Sequence, residues 1–183
     1  MKKDYIVLIV GESGSGKSEI CGYLENNYRL KEVKSYTTRP KRNGNDNSHI
    51  FVTNEEFDNL NDVIAYTEYN GYKYCATEQQ IEECDTYIID PDGIDYFLEE
   101  YNGSKIPMVV HIYAPTELRR KRMLHRGHNM GAIETRLEID AEKFANVRSY
   151  AIFTYVNADD ALNDVIEIGE DIYDTFFREE EDV

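Results

Sequence analysis

The chain's 183 residues carry 20 Lys and Arg against 36 Asp and Glu, a formal net charge of −16. That length suits one hydrophobic core rather than two, and with 41% apolar and 12% aromatic residues the chain is not too polar to fold. The charge excludes a nucleic-acid partner gripped by general electrostatics.

In chain order, the first element is a β-branched run, Tyr5 to Val10, which predicts a strand buried on both faces of a parallel sheet. It is too short for a signal segment or a membrane span. Gly11-Glu12-Ser13-Gly14-Ser15-Gly16-Lys17-Ser18 follows, and then a helix over Lys17 to Asn27 with Ile20, Tyr23 and Leu24 on one face. Between Ser35 and Cys84 the pattern is short and mixed. It comprises a strand at His49 to Val52, a capping box at Thr53-x-x-Glu56, a hairpin of Val63 to Tyr69 and Tyr72 to Ala76 across Asn70-Gly71, and a second box at Thr77-x-x-Gln80. Strands then alternate with helices: Tyr87 to Ile89, Gly93 to Tyr101, Met108 to Tyr113, Pro115 to His125, Ala151 to Val156, Asp160 to Phe177. That alternation predicts a parallel sheet covered by helices. Gly127 and Gly131 bracket a segment between two helices that reads either as a hinged cap or as an ordinary loop. The acidic end, Arg178 to Val183, reads as a solubilising tail.

The expected fold is α/β: a P-loop NTPase-type parallel sheet flanked by helices, with an inserted mixed-β acceptor-binding lobe and a helical lid. One domain spans 1–183, with a core of 1–34, 85–126 and 132–183, a lobe at 35–84 and a lid at 127–131. Cys21, Cys75 and Cys84 form no C-x-x-C pair, and the four histidines show no metal-binding spacing. The expectation is a reducing, cytoplasmic compartment with no membrane association.

The segment at 11–18 fits G-x-x-x-x-G-K-[ST] between a strand and a helix, the context this motif requires. Glycines there let amide N–H groups turn toward phosphate oxygens, and the helix N-terminus adds partial positive charge. Gly11, Ser13, Gly14, Ser15 and Gly16 are the expected cradle, Lys17 the residue reaching the terminal phosphates of ATP, and Ser18 a magnesium ligand. The chain has no N-K-x-D base-reading motif and is short for a motor, which leaves an acceptor kinase. Nine of the 20 basic residues lie in Lys34 to Arg42 and Arg119 to Arg126, either as phosphate contacts or as solvated faces.

Ser35-Tyr36-Thr37-Thr38-Arg39-Pro40-Lys41-Arg42 resembles the S-x-T-T-R-x-x-R acceptor-phosphate motif of guanylate kinases. Similarity continues through His49-Ile50-Phe51-Val52, Asn70 to Tyr74, Asp90-Pro91-Asp92, Leu118 to Gly127, Arg136 and Val156 to Asp159. The resemblance implies that Ser35, Arg39, Arg42, His49 and Tyr74 bind an acceptor phosphate, that Asp92 faces the acceptor nucleoside, and that Asp90 holds Mg2+ through water. A helix cap is the plainer role for Asp90. It further implies that Arg122, Arg126 and Arg136 close from the lid, and that Lys17 and Arg39 act in catalysis. Phosphoryl transfer from ATP to GMP or dGMP is then expected, with a small nucleoside monophosphate as partner. Departures bear on the base: Ala65 stands where the family has a guanine-reading glutamate, and Cys75-Ala76 where it has G-S. Glu68, three residues on, falls on the other strand face. Another nucleoside monophosphate, ribose 1,5-bisphosphate, or a non-catalytic binding role therefore stand as alternatives.

Overall fold

The computed structural model describes residues 4–69, 71–159 and 162–178. The first sheet is parallel throughout: β1 (Tyr5–Val10) lies between β6 (Thr86–Ile88) and β7 (Ile106–Tyr113), and β8 (Phe153–Val156) closes one edge. Every residue from Ile6 to Val10 is 0% exposed, as a strand covered on both faces demands. Its side chains alternate between two cores. Ile6, Leu8 and Val10 pack with Ile64, Ala65, Ile94 and Phe97, while Val7 and Ile9 pack with Ile20, Leu24, Ile168 and Ile172.

The second core is built by α1 (Lys17–Tyr28) against α7 (Asn163–Phe176). α7 buries Val165, Ile168, Gly169, Ile172 and Phe176, a helical stripe. Gly169 is required by close approach, because a Cβ there would stand 2.4 Å from the Tyr23 ring.

The second sheet, in the order β3-β2-β5-β4, forms the expected lobe. It contains β2 (Tyr36–Thr37), β3 (Ile50–Phe51), β4 (Val63–Tyr69) and β5 (Tyr72–Thr77). The hairpin forms in the expected place, and Gly71 adopts a left-handed φ of 74°. Asn70, Asp160 and the tail beyond Arg178 lie outside the described residues. Both capping boxes form, at the start of α2 (Asn54–Asp58) and of α3 (Glu78–Glu83).

α4 (Pro91–Glu100) begins earlier than expected. Pro91 is tolerated in the first turn, and the Asp90 side chain accepts from Gly93 N. α5 (Thr116–His125) and α6 (Met130–Lys143) flank the expected lid, with Gly127 at a φ of 84° between them. No helix among the described residues is long and apolar enough to cross a membrane.

Candidate active site

β1 delivers the chain into the loop at 11–18, where Gly14 and Gly16 have φ of 79° and 101°. A Cβ on Gly16 would stand 2.2 Å from Asn157 Nδ2, so this position needs glycine for both conformation and space. The loop's carbonyls are tied down from outside. Arg119 Nε donates to Ser13 O at 2.9 Å, Arg122 Nη1 to Gly14 O at 3.1 Å, and Asn157 Nδ2 to Ser15 O at 2.9 Å. Within each planar peptide the N–H points opposite the C=O. Fixing three successive carbonyls outward therefore turns the amides of Gly14 and Gly16 inward, toward an anion-binding concavity, while the Ser15 amide closes the turn by donating to Glu12 O at 3.1 Å.

Lys17 Nζ donates to Gly11 O at 2.6 Å and to Glu12 O at 3.1 Å. Burial pulls its pKa down to about 8, although the carboxylates of Asp140 and Glu12 oppose the shift. Ser15 Oγ is buried without a hydrogen-bond partner among the described residues. A polar atom so placed fits a loop made to take a phosphate. Ser18 is exposed in the first turn of α1.

Beneath the loop lies a charged strut that sequence reasoning missed. Arg119 Nη2 donates to Asp140 Oδ2 at 2.7 Å, and Asp140 Oδ2 also accepts from Ser13 N at 2.8 Å. Arg119 Nη1 stands 3.8 Å from Glu12 Oε1, and His111 Nε2 lies 3.4 Å from Glu12 Oε2. Burial alone would raise the Glu12 pKa, yet the His111 hydrogen bond and the Arg119 charge leave it below the ordinary carboxylate value.

A cleft of about 460 Å³ runs between the two sheets. The loop lines it with Gly11, Ser13, Gly14 and Lys17; the lobe lines it with Ser35, Arg39, Arg42, His49 and Tyr74; the lid side adds Arg126 and Arg136. Ser35 Oγ lies 3.2 Å from the Tyr87 hydroxyl. Arg39 Nη2 donates to Asp46 Oδ2 at 3.2 Å, and its guanidinium sits 5.1 Å from the Phe51 ring centre. Asp46 also accepts from Arg42 N at 3.1 Å and from Ser48 Oγ at 2.6 Å, so it organises the loop that carries both arginines. These hydrogen bonds drive its pKa well below the ordinary value. The Asp46-x-Ser48 spacing, an Asx-type turn, was the signal available for it.

The His49 ring lies edge-on to Tyr74 at 5.5 Å, with Nδ1 buried and unpartnered among the described residues. Burial, then the charge of Arg39, pushes its pKa down to about 4, so the ring is neutral at physiological pH.

Three expected residues are committed to other partners, Asp90 from within the cleft lining and Arg122 and Asp92 from outside it. Arg122, expected to close over the acceptor, is outside the cleft lining: its Nη2 donates to Asn157 Oδ1 at 2.9 Å and to Asp159 O at 2.6 Å, which makes it part of the loop's external brace. Asp90, expected to hold magnesium, accepts instead from Gly93 N at 2.8 Å, Thr67 Oγ1 at 3.1 Å and Lys143 Nζ at 2.7 Å. A cation is already in place there. Asp92, expected against the nucleoside, is 65% exposed and lies 2.8 Å from the same Lys143 Nζ. Arg126 pairs with Glu19, and Arg136 donates to Ser13 Oγ with its guanidinium 5.2 Å from the Tyr69 ring centre.

This geometry defines a P-loop nucleotide-binding domain whose loop faces a cationic lobe across one cleft. Residues 7–145 match the family model described as an AAA domain. The guanylate kinase of Mycoplasma capricolum is 40% identical over 90 residues, 45% of this chain and 30% of that protein. The guanylate kinase of Clostridium tetani is 27% identical over 180 residues, covering 91% of this chain and 84% of that one. The crystal structure of guanylate kinase from Anaplasma phagocytophilum superposes with a TM-score of 0.64 at 24% identity, covering 96% of this chain and 87% of that one, a likeness of fold. The chain belongs to the family that this AAA-domain model describes, and over most of its length it is similar to guanylate kinases. Its match spans less than a third of the Mycoplasma relative's length but most of the clostridial one.

Proposed function

We propose that the chain transfers the γ-phosphoryl group of ATP to the phosphate of a nucleoside monophosphate, GMP or dGMP. The observation that carries this reading is one cleft with a braced P-loop on one wall and Arg39, Arg42, His49 and Tyr74 on the other. The names of the relatives point to the same reaction.

The loop amides and Lys17 hold the triphosphate, while Arg39 and Arg42 present forked donors that match phosphate oxygens in pairs. His49, neutral and with an unpartnered buried nitrogen, offers a hydrogen bond without competing for charge. The attacking atom is an anionic phosphate oxygen, so no general base is needed; alignment and charge neutralisation supply the rate. Arg136, bridging Ser13 and Tyr69, is placed to meet the phosphoryl group in flight. The Ser18 hydroxyl would hold Mg2+, which supplies further neutralisation of phosphate charge when bound.

A second reading keeps the reaction and changes the base. Ala65 gives the cleft only a methyl group, and Glu68 is on the other face of β4, bonded to the Tyr66 hydroxyl. The test is ADP release with ATP, magnesium and a panel of GMP, dGMP, IMP, AMP, CMP, UMP and ribose 1,5-bisphosphate. Turnover of a nucleoside monophosphate is expected, falling at least 100-fold in Lys17→Ala with the far-UV spectrum unchanged. No turnover of any acceptor, or full activity in Lys17→Ala, refutes the proposal.

A further inference from the structure

α6 carries Arg136, Asp140 and Lys143 at i, i+4 and i+7, one stripe about 10 Å long. Its Arg136 end touches the P-loop through Ser13; its Lys143 end reaches Asp90 and Asp92, at 2.7 and 2.8 Å. The helix therefore spans the cleft from the nucleotide side to the far wall. At that wall β4 and β5 present one face, with Thr67 opposite Tyr74 and Tyr69 opposite Tyr72. Ala65 shares the face two residues earlier and opposes Ala76, so its place is apolar. The Thr67 hydroxyl is committed to Asp90. Lys143, with a side chain only 16% exposed, lines the same part of the cleft as Ala65 and Thr67.

A lysine ammonium has three donors. Asp90 and Asp92 fix two of them and hold the group in one place; the third is available to a ligand. Lys143 offers no acceptor, so at the exocyclic positions of a base it can read an oxygen but not an amino group. We propose that Lys143 is a specificity-determining residue that donates to the exocyclic oxygen of the acceptor base, selecting oxo-bearing bases over adenine. This rests on the nucleoside monophosphate reading above. Asp90 and Asp92 are its positioning residues, which explains why a strand-end pair expected at a metal and a nucleoside meets on one ammonium.

IMP and AMP differ at the purine 6-position, oxo against amino, and so isolate the contact. The experiment measures kcat and KM for both in the wild type, Lys143→Met, Lys143→Gln and Lys143→Arg, together with calorimetric binding of each monophosphate in the absence of ATP. A hydrogen bond to a charged donor predicts that the wild-type preference for IMP shrinks 10- to 100-fold in Lys143→Met and Lys143→Gln, through KM and binding, with kcat within threefold. Lys143→Arg should restore most of it. An unchanged IMP/AMP ratio in folded Lys143→Met or Lys143→Gln, or an equal loss for both acceptors, overturns the inference while leaving the kinase reading intact. A wild type that turns over no monophosphate overturns both.

Discussion

Removing the guanidinium beneath the P-loop should cost the fold more than any exposed ion pair. Arg119 is 4% exposed, and in Arg119→Met its partner Asp140, 6% exposed, keeps a carboxylate in a dry site with the Ser13 amide and hydroxyl as its remaining hydrogen-bond partners. Breaking one side of a buried pair costs about 3–5 kcal/mol. At this chain length each kcal/mol moves Tm by about 2–4 °C, so a drop of about 6–20 °C is expected. The chain has no Trp, so far-UV circular dichroism is the probe, in thermal and urea melts. The double variant Arg119→Met/Asp140→Leu removes the stranded charge and should recover at least half of the loss. In both variants the KM for ATP should rise, because Ser13 O loses its anchor and the amides behind it lose their fixed direction. A single variant within about 1 kcal/mol of wild type, or a double variant no more stable than the single, would refute the strut.

Two pH effects follow. Lys17 must be an ammonium to meet the triphosphate, and its pKa is lowered to about 8, so kcat/KM for ATP should fall about tenfold per pH unit above 8. Lys17→Arg, less active overall, should lose that alkaline limb; a flat wild-type profile up to pH 9.5 contradicts the assignment. His49 is held neutral, with a folded pKa of about 4 below its ordinary 6.5. The unfolded chain then binds the proton first, so its contribution to stability is present above pH 6.5 and is lost as pH falls from 6.5 toward 4. Tm should decline less between pH 7 and pH 5 in His49→Gln than in wild type, and equal declines would rule out a depressed His49.

What the sequence makes legible is what local physics decides. A short β-branched apolar run that stops at a glycine suits a doubly covered strand, and the Gly pattern after Val10 suits the strand-to-helix turn it has. Both capping boxes formed because each closes within four residues. α4 starts two residues before Gly93 because Pro91 suits the first helical turn once Asp90 caps it. β2, two residues long, carries no period to detect, whereas β3 forms within the strand expected at His49 to Val52.

Side-chain partners across the chain are another matter. Arg119, Arg122 and Arg126 share a helix face by spacing, but only packing reveals that the first two brace the P-loop from outside while Arg126 turns to Glu19. Lys143 meets Asp90 across 53 residues, and no local rule couples those positions. Asp140 and Lys143 join Arg136 as one stripe only once α6 is seen to run from the P-loop to the far wall.

In the proposed reaction one cleft holds a triphosphate at Lys17 and a second phosphate at Arg39 simultaneously. A pentaphosphate joining adenosine to guanosine tests it by calorimetry, because a ligand that fills both ends gains from each without a second association cost. Binding should be at least about 100-fold tighter than that of GMP alone, and weakened at least tenfold by Lys17→Ala and, separately, by Arg39→Ala. Affinity no better than that of GMP, or unaffected by loss of Arg39, would contradict it.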